Sequence, residues 1–118
     1  MGGRSDVLAA LHDDMTDDTP TVRDDRPGQR FVLEQDGGVG ELAYEVEDGR
    51  LFLLHTEVAD ALRGHGAGGR LVRAAVARAT DDHLKVVPWC PYARRWLREH
   101  SDVADTITID WHTPPPNR

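Results

Sequence analysis

Apolar and polar positions change rhythm once along this chain, near residue 58. Before it, the period is two. From Val39 to Val46, Leu42, Tyr44 and Val46 alternate with Glu41, Glu45 and Glu47, which predicts a half-buried strand. Arg30–Gln35 is β-compatible, and Thr21–Arg23 predicts a short strand before it, turned by Asp24-Asp25-Arg26-Pro27-Gly28. Asp36-Gly37-Gly38 and Asp48-Gly49 are hairpin turns. Arg50–Val58 is nearly apolar on both faces at first, so it predicts a central strand. After residue 69 the period becomes helical. Leu71, Val72, Ala75, Val76 and Ala79 form one apolar stripe, with Arg70, Arg73 and Arg78 left mostly to solvent. That helix stops near Thr80-Asp81-Asp82-His83. Leu84–Trp89 predicts a short buried strand, and Cys90–His100 a second helix. Pro91 suits its first helical position, which makes Cys90 the N-cap. Ala104–Ile109 is the segment for a last strand.

The order is strands, turn, helix, strand, helix. It predicts an α+β fold, a compact mixed and mostly antiparallel sheet flanked by two main helices. Residues 20–112 make one domain, 1–19 an acidic, disordered leader and 113–118 a tail. A right-handed strand–helix–strand unit would put a ligand at the carboxyl end of the strands.

Composition narrows the function. Fourteen Lys and Arg against 21 Asp and Glu give a net charge of −7, which speaks against a nucleic-acid partner. One cysteine rules out an internal disulfide framework. No apolar run is long enough for a membrane span, so a cytoplasmic protein, monomer or weak homodimer, is the expectation. No His, Cys and Asp cluster has zinc spacing, so no metal is expected.

The junction between the two rhythms is Val58-Ala59-Asp60-Ala61-Leu62-Arg63-Gly64-His65-Gly66-Ala67-Gly68-Gly69. Glycines let the backbone approach a ligand, and the first turn of the next helix has unpaired N–H groups at its positive end. Together they predict an anion cradle for a phosphate or diphosphate. Gly64 to Gly69 formally satisfies G-x-G-x-x-G. A dinucleotide fold would need an acidic residue after the next strand, where Pro88-Trp89-Cys90-Pro91 stands, and a P-loop would need Gly-Lys-Ser/Thr. A glycine-rich surface turn without a ligand is the plain alternative.

Arg63-x-x-Gly66-x-Gly68, after an apolar strand and opening a helix, resembles the signature of the GCN5-related N-acetyltransferases. His55-Thr56-Glu57-Val58, Arg63-Gly64-His65-Gly66 and Pro88-Trp89-Cys90-Pro91, in that order, resemble their very small single-domain members. The likeness covers roughly Val22 to Asp105. Ala59 departs from it, standing where proline is common. The resemblance implies acetyl-coenzyme A as co-substrate, with its diphosphate at Val58, Leu62, Arg63, Gly64, His65, Gly66, Ala67, Gly68 and Gly69. Arg63 offers either its backbone, the favoured contact, or a packing side chain. The edge of the His55–Val58 strand would pair with the pantetheine arm. The helices that wall the acceptor site in larger relatives have no room here, so that site would be open or completed by a partner.

Acetyl transfer to an amine needs a base, an oxyanion donor and a protonated leaving thiol. His55 and Glu57 lie two apart on a strand and share a face, so either can take the proton. The family position favours His55. Cys90 follows the strand opposite, where the two would flank the thioester. It either accepts the acetyl group, lines the cavity, or is a small buried hydrophobe. Tyr92 is either the acid for the leaving thiol or core packing, the latter favoured. The expectation is thus an N-acetyltransferase that works by direct attack on the thioester. Its acceptor is a protein lysine, a polyamine or a small amine. The alternative is an acyl-CoA-binding sensor or partner module with little catalysis.

Overall fold

The computed structural model describes residues 21–35, 37–64 and 66–116. The proposed leader and the end of the tail lie outside these. Five strands form one sheet in the order β1-β2-β3-β4-β5: β1 Arg23–Asp25, β2 Arg30–Gln35, β3 Gly38–Glu47, β4 Arg50–Val58 and β5 Lys85–Pro88. The first four pair antiparallel and β5 joins β4 in parallel. A 3-10 turn, Asp60–Leu62, leads to helix α1, Ala67–Asp82, which crosses from β4 to β5. Helix α2, Pro91–Glu99, and a one-turn α3, Ser101–Ala104, follow. This is the α+β architecture that the change of rhythm predicts.

Local chemistry explains the boundaries. Asp48 and Gly49 both take positive φ, 54° and 73°, as the tight turn between right-twisted strands requires. Helix α1 ends at His83, whose left-handed backbone (φ 57°) lets its N–H reach the Ala79 carbonyl. Cys90 is the extended N-cap of α2 with Pro91 just inside, and its carbonyl accepts the first helical bond from Arg94 N–H at 2.9 Å. The predicted last strand shrinks to a single parallel bridge, Val86 to Ile109, because the N–H groups of Asp105, Thr106 and Ile107 bond back to the Ser101, Val103 and Ala104 carbonyls in the turns that close α3.

The core lies between the sheet and the two helices. Leu71, Val72, Ala75, Val76 and Ala79 of α1 are buried on Phe31, Leu33, Leu42, Leu51 and Leu53, with Ala93, Trp96 and Leu97 of α2 beside them. Arg78 departs from the solvent position that helical spacing gives it. Its guanidinium binds Asp24 at 2.8 Å, Asp82 at 2.7 Å and the Tyr44 hydroxyl at 3.0 Å. Tyr44 stacks in turn on Phe31 and donates to Asp24. This network ties the edge strand β1 to α1. On the other flank, residues 110–113 strap the chain down. Trp89 Nε1 donates to the Thr113 carbonyl at 2.8 Å, and Arg94 Nη2 to the Trp111 carbonyl at 2.7 Å. Asp110 accepts from the Thr113 hydroxyl and from the N–H groups of His112 and Thr113, which hold its carboxyl down at about 2. Among the described residues no helix is long and apolar enough to cross a membrane.

Candidate active site

A β-bulge in β4 divides the site into two faces. Tyr44 pairs with Leu53 and Ala43 pairs with His55, so Leu54 is an extra residue in the ladder. Leu51 and Leu53 face the core. Uninterrupted alternation would send His55 and Glu57 inward after them. The bulge reverses the parity, as one inserted residue must. Thr56 now pairs with buried Leu42 and turns toward the helices, while His55 and Glu57 turn to the helix-free face.

On the helix side, Thr56 Oγ1 lies 3.1 Å from Cys90 Sγ. Cys90 is 2 % exposed, held from below by its N–H donating to the Leu53 carbonyl at 2.8 Å. On the other side, His55, Glu57 and Glu41 bring their nitrogen and oxygen atoms within 4.8 Å of one another. Arg30 already occupies Glu41, at 2.6 Å. His55 and Glu57 thus share a face, as their spacing predicts. His55 and Cys90 do not line one wall: the bulge puts the end of β4 between them.

The same point in β4 ends its pairing with β5. The parallel ladder runs from Arg50 opposite Lys85 to Leu53 opposite Pro88 and stops. Strand β4 continues to Val58 with no strand on that side among the described residues. Next to this free edge lies a groove of about 470 Å³, lined by Thr56, Val58, Leu62, Arg63, Gly64, Gly66, Ala67, Gly68 and Tyr92. A second groove, about 550 Å³, opens on the other face, among Val39, Glu41, Glu57 and Ala59. Thr56, Val58 and Arg63 border both.

The glycines divide into two kinds. Gly64 and Gly66 have φ of 84° and 79° with open space at the missing Cβ, so they are there for the shape of the turn. Gly68 and Gly69 have helical backbone and a different reason. A Cβ on Gly68 would sit 2.6 Å from the Tyr92 ring, and one on Gly69 2.8 Å from Trp96 Nε1. They let α1 and α2 approach. The first i→i−4 bond of α1 runs from Arg70 N–H to the Gly66 carbonyl at 3.1 Å, which leaves the N–H groups of Ala67, Gly68 and Gly69 without helical acceptors.

Arg63 behaves otherwise than its motif suggests. Its N–H is taken by the Asp60 carbonyl at 3.2 Å, so its backbone is not an open donor. What it offers is a guanidinium, 72 % exposed, held at Nε by the still more exposed Asp60 at 3.3 Å and by the Val58 carbonyl at 3.5 Å. Leu62 is buried in the core, so its side chain supports the turn from below. His65 lies outside the described residues. Tyr92, read from sequence chiefly as packing, borders the groove beside Gly68 and is only partly buried. Burial raises its phenol pKa, and the nearby Arg95 charge only partly offsets that. Thr56 stands in the His55-Thr56-Glu57-Val58 motif, but the sequence gives it no role. Only the bulge brings it to Cys90 and to both grooves, and a single extra residue in a ladder leaves no mark in hydrophobic periodicity.

Comparison with known proteins gives the same picture. Residues 30–106 match the GCN5-related N-acetyl-transferase family. Protein NATD1 of Gallus gallus is 33% identical over 82 residues, 67% of this chain and 74% of that protein. Protein NATD1 of Homo sapiens is 33% identical over 82 residues, 67% and 73% of the two chains. The solution structure of a GCN5-like protein from Staphylococcus aureus, assigned to the N-acetyltransferases, superposes with a TM-score of 0.58 at 25% identity. It covers 77% of this chain and 91% of that one. The matched stretch runs from β2 through α3 and so contains the bulge, the glycine turn and the Cys90 cap, and on that ground the chain belongs to the GCN5-related N-acetyltransferases.

Proposed function

We propose that this acetyltransferase moves the acetyl group of acetyl-coenzyme A to an amine that approaches from the helix-free face of the sheet. The observation that carries the reading is the early end of the β4–β5 ladder beside the glycine groove. An unpaired strand edge suits the amides of a pantetheine arm, and unpaired helix N–H groups suit a diphosphate. A thioester arriving along that edge would meet Thr56 and Cys90 on one side. Glu57 would stand on the other, in the second groove, with His55 beside it within 4.8 Å, and carboxylates there favour a cationic acceptor.

In this reading the amine loses its proton to His55 or Glu57, directly or through water. Nitrogen bonds to the thioester carbon, the carbon–sulfur bond breaks, and the departing thiolate takes up a proton. Tyr92, which keeps its proton because burial raises its pKa, lines the groove beside Gly68 and is the donor in this reading. Direct transfer is preferred over an acetyl-Cys90 intermediate, because the thiol is buried against Thr56. The open second face keeps an acyl-CoA-binding module with little catalysis as the second reading.

Calorimetry with acetyl-coenzyme A, ATP and NAD tests the first step, and only the first should give heat. Release of free coenzyme with a panel of lysine peptides, polyamines and small amines then separates enzyme from sensor. Cys90→Ala should keep activity within about tenfold, and mass spectrometry should find no acetyl group on Cys90. The absence of heat with acetyl-coenzyme A would remove the reading.

A further inference from the structure

We infer that the Thr56 hydroxyl is a catalytic donor, aimed by the Cys90 thiol at the thioester carbonyl oxygen, where negative charge develops during acetyl transfer. The inference rests on the acetyl-coenzyme A reading above and adds a side chain that would stabilise its transition state.

In that reading the reaction joins a molecule in the glycine groove to one in the groove on the helix-free face. The reacting carbon then belongs where the two grooves meet. Three residues border both, Thr56, Val58 and Arg63. Val58 has no polar side chain. The Arg63 guanidinium is drawn to Asp60 at 3.3 Å and to the Val58 carbonyl at 3.5 Å. Thr56 is the one whose hydroxyl meets the buried end of the groove. It stands on β4 beyond Leu53, where pairing with β5 has ended, and so on the edge that suits the pantetheine amides.

A hydroxyl has one proton to donate and two lone pairs with which to accept. Thr56 Oγ1 lies 3.1 Å from Cys90 Sγ, and each is the other's only side-chain hydrogen-bond partner among the described residues. The thiol is fixed in place. Cys90 is 2 % exposed and caps α2, with its N–H on the Leu53 carbonyl at 2.8 Å and its own carbonyl on Arg94 N–H at 2.9 Å. A buried S–H with no other partner gives its proton to Oγ1, which leaves the Thr56 proton for the groove. Sulfur is a weak acceptor, so it competes poorly with an oxygen that offers itself there.

The chemistry follows without any proton leaving Thr56. The amine nitrogen bonds to the thioester carbon, and the carbonyl electron pair moves onto oxygen. That pair returns as the carbon–sulfur bond breaks. A hydrogen bond to the oxyanion is about twice as strong as one to the neutral carbonyl, so the contact strengthens as the transition state forms. Cys90 is thus a positioning residue, and its burial serves that task. The extra residue at Leu54 turns Thr56 toward it and turns His55 and Glu57 toward the amine.

Infrared difference spectra of the full chain with carbonyl-labelled acetyl-coenzyme A test the contact without an acceptor amine. The bound carbonyl band should lie below that of the free coenzyme in the native chain and in T56S, and return toward the free value in T56V. Cys90 is the one cysteine of the chain and acetyl-coenzyme A carries no thiol, so a single S–H band reports the other half. It should stand at a hydrogen-bonded frequency in the native chain and move up in T56V. With an amine found by coenzyme release, T56V should lose about 100- to 1,000-fold in kcat, the worth of one oxyanion donor, at a nearly unchanged KM for acetyl-coenzyme A. T56S should keep most of the activity. Far-UV circular dichroism checks the fold, and T56A reads the same loss if valine does not pack. Equal carbonyl bands in the native chain and T56V, or an S–H band that T56V leaves in place, overturns the inference and leaves the coenzyme reading standing. A native chain that gives no heat with acetyl-coenzyme A removes both.

Discussion

Replacing Gly69 by alanine tests what the second pair of glycines is for. A glycine kept for helix packing and one kept for phosphate approach respond differently. Alanine is the better helix former by about 1 kcal/mol, so an unconstrained site would gain stability. Here the new Cβ would meet Trp96 Nε1 at 2.8 Å and Cε2 at 3.3 Å. An ordinary contact needs about 3.5 Å, so the indole must move by about 0.7 Å. It has little room. Trp96 is buried, with His100 stacked on its ring at 3.8 Å and the His100 ring tied to the Trp96 carbonyl at 2.8 Å. Overpacking of this kind costs about 1–3 kcal/mol. Set against the helix-propensity gain, the net loss is about 0–2 kcal/mol, a fall in Tm of up to about 8 °C for a domain of this size. Gly68→Ala is the contrast. Its Cβ would meet the Tyr92 ring at 2.6 Å, but that ring borders an open groove and can turn into it. Stability should fall less, while affinity for acetyl-coenzyme A falls more. Differential scanning calorimetry of both variants, with a coenzyme titration of each, gives the comparison. A Gly69→Ala protein with a higher Tm, the gain of an unconstrained helix position, would refute the packing argument.

The remaining predictions concern the proton acceptor, acid pH and the half-buried Arg78. His55→Gln and Glu57→Gln, assayed separately, should divide the base role: the true base loses about 100- to 10,000-fold in kcat with the KM for acetyl-coenzyme A nearly unchanged. A matching loss in coenzyme affinity would show the residue holds the fold instead. Asp110 sits at about 2 when folded against 3.8 for a free carboxyl, so its contribution is complete above about pH 4 and disappears as pH falls toward 2. Fluorescence of Trp89 and Trp111 should report loosening of the 110–113 strap in that window, and Asp110→Asn should show the loosened signal at pH 7 already. Arg78→Met leaves Asp24, Asp82 and the Tyr44 hydroxyl without their shared partner. Its cost should be about 1–3 kcal/mol in chemical denaturation, the range for losing charged hydrogen bonds at a half-buried site. Asp24→Asn in the same background should recover part of it.

Much of the architecture was legible because it depends on neighbours in sequence. The alternation through Leu42, Tyr44 and Val46, the stripe from Leu71 to Ala79, the Asp48-Gly49 turn and the Cys90-Pro91 helix start are local patterns with local causes. The glycine turn and the helix start after it were legible for the same reason, since both are short-range features. What only the tertiary structure decided depends on which side chain stands across from which. One extra residue at Leu54 put Thr56 beside Cys90 and sent His55 and Glu57 to the opposite face. Arg78 reads as solvated on a helical wheel until β1 brings Asp24 to it. Gly68 and Gly69 read as part of a phosphate loop until Tyr92 and Trp96 arrive from α2. Periodicity records how often a chain turns toward its core. It holds no account of a skipped beat, or of the partner that waits across the gap.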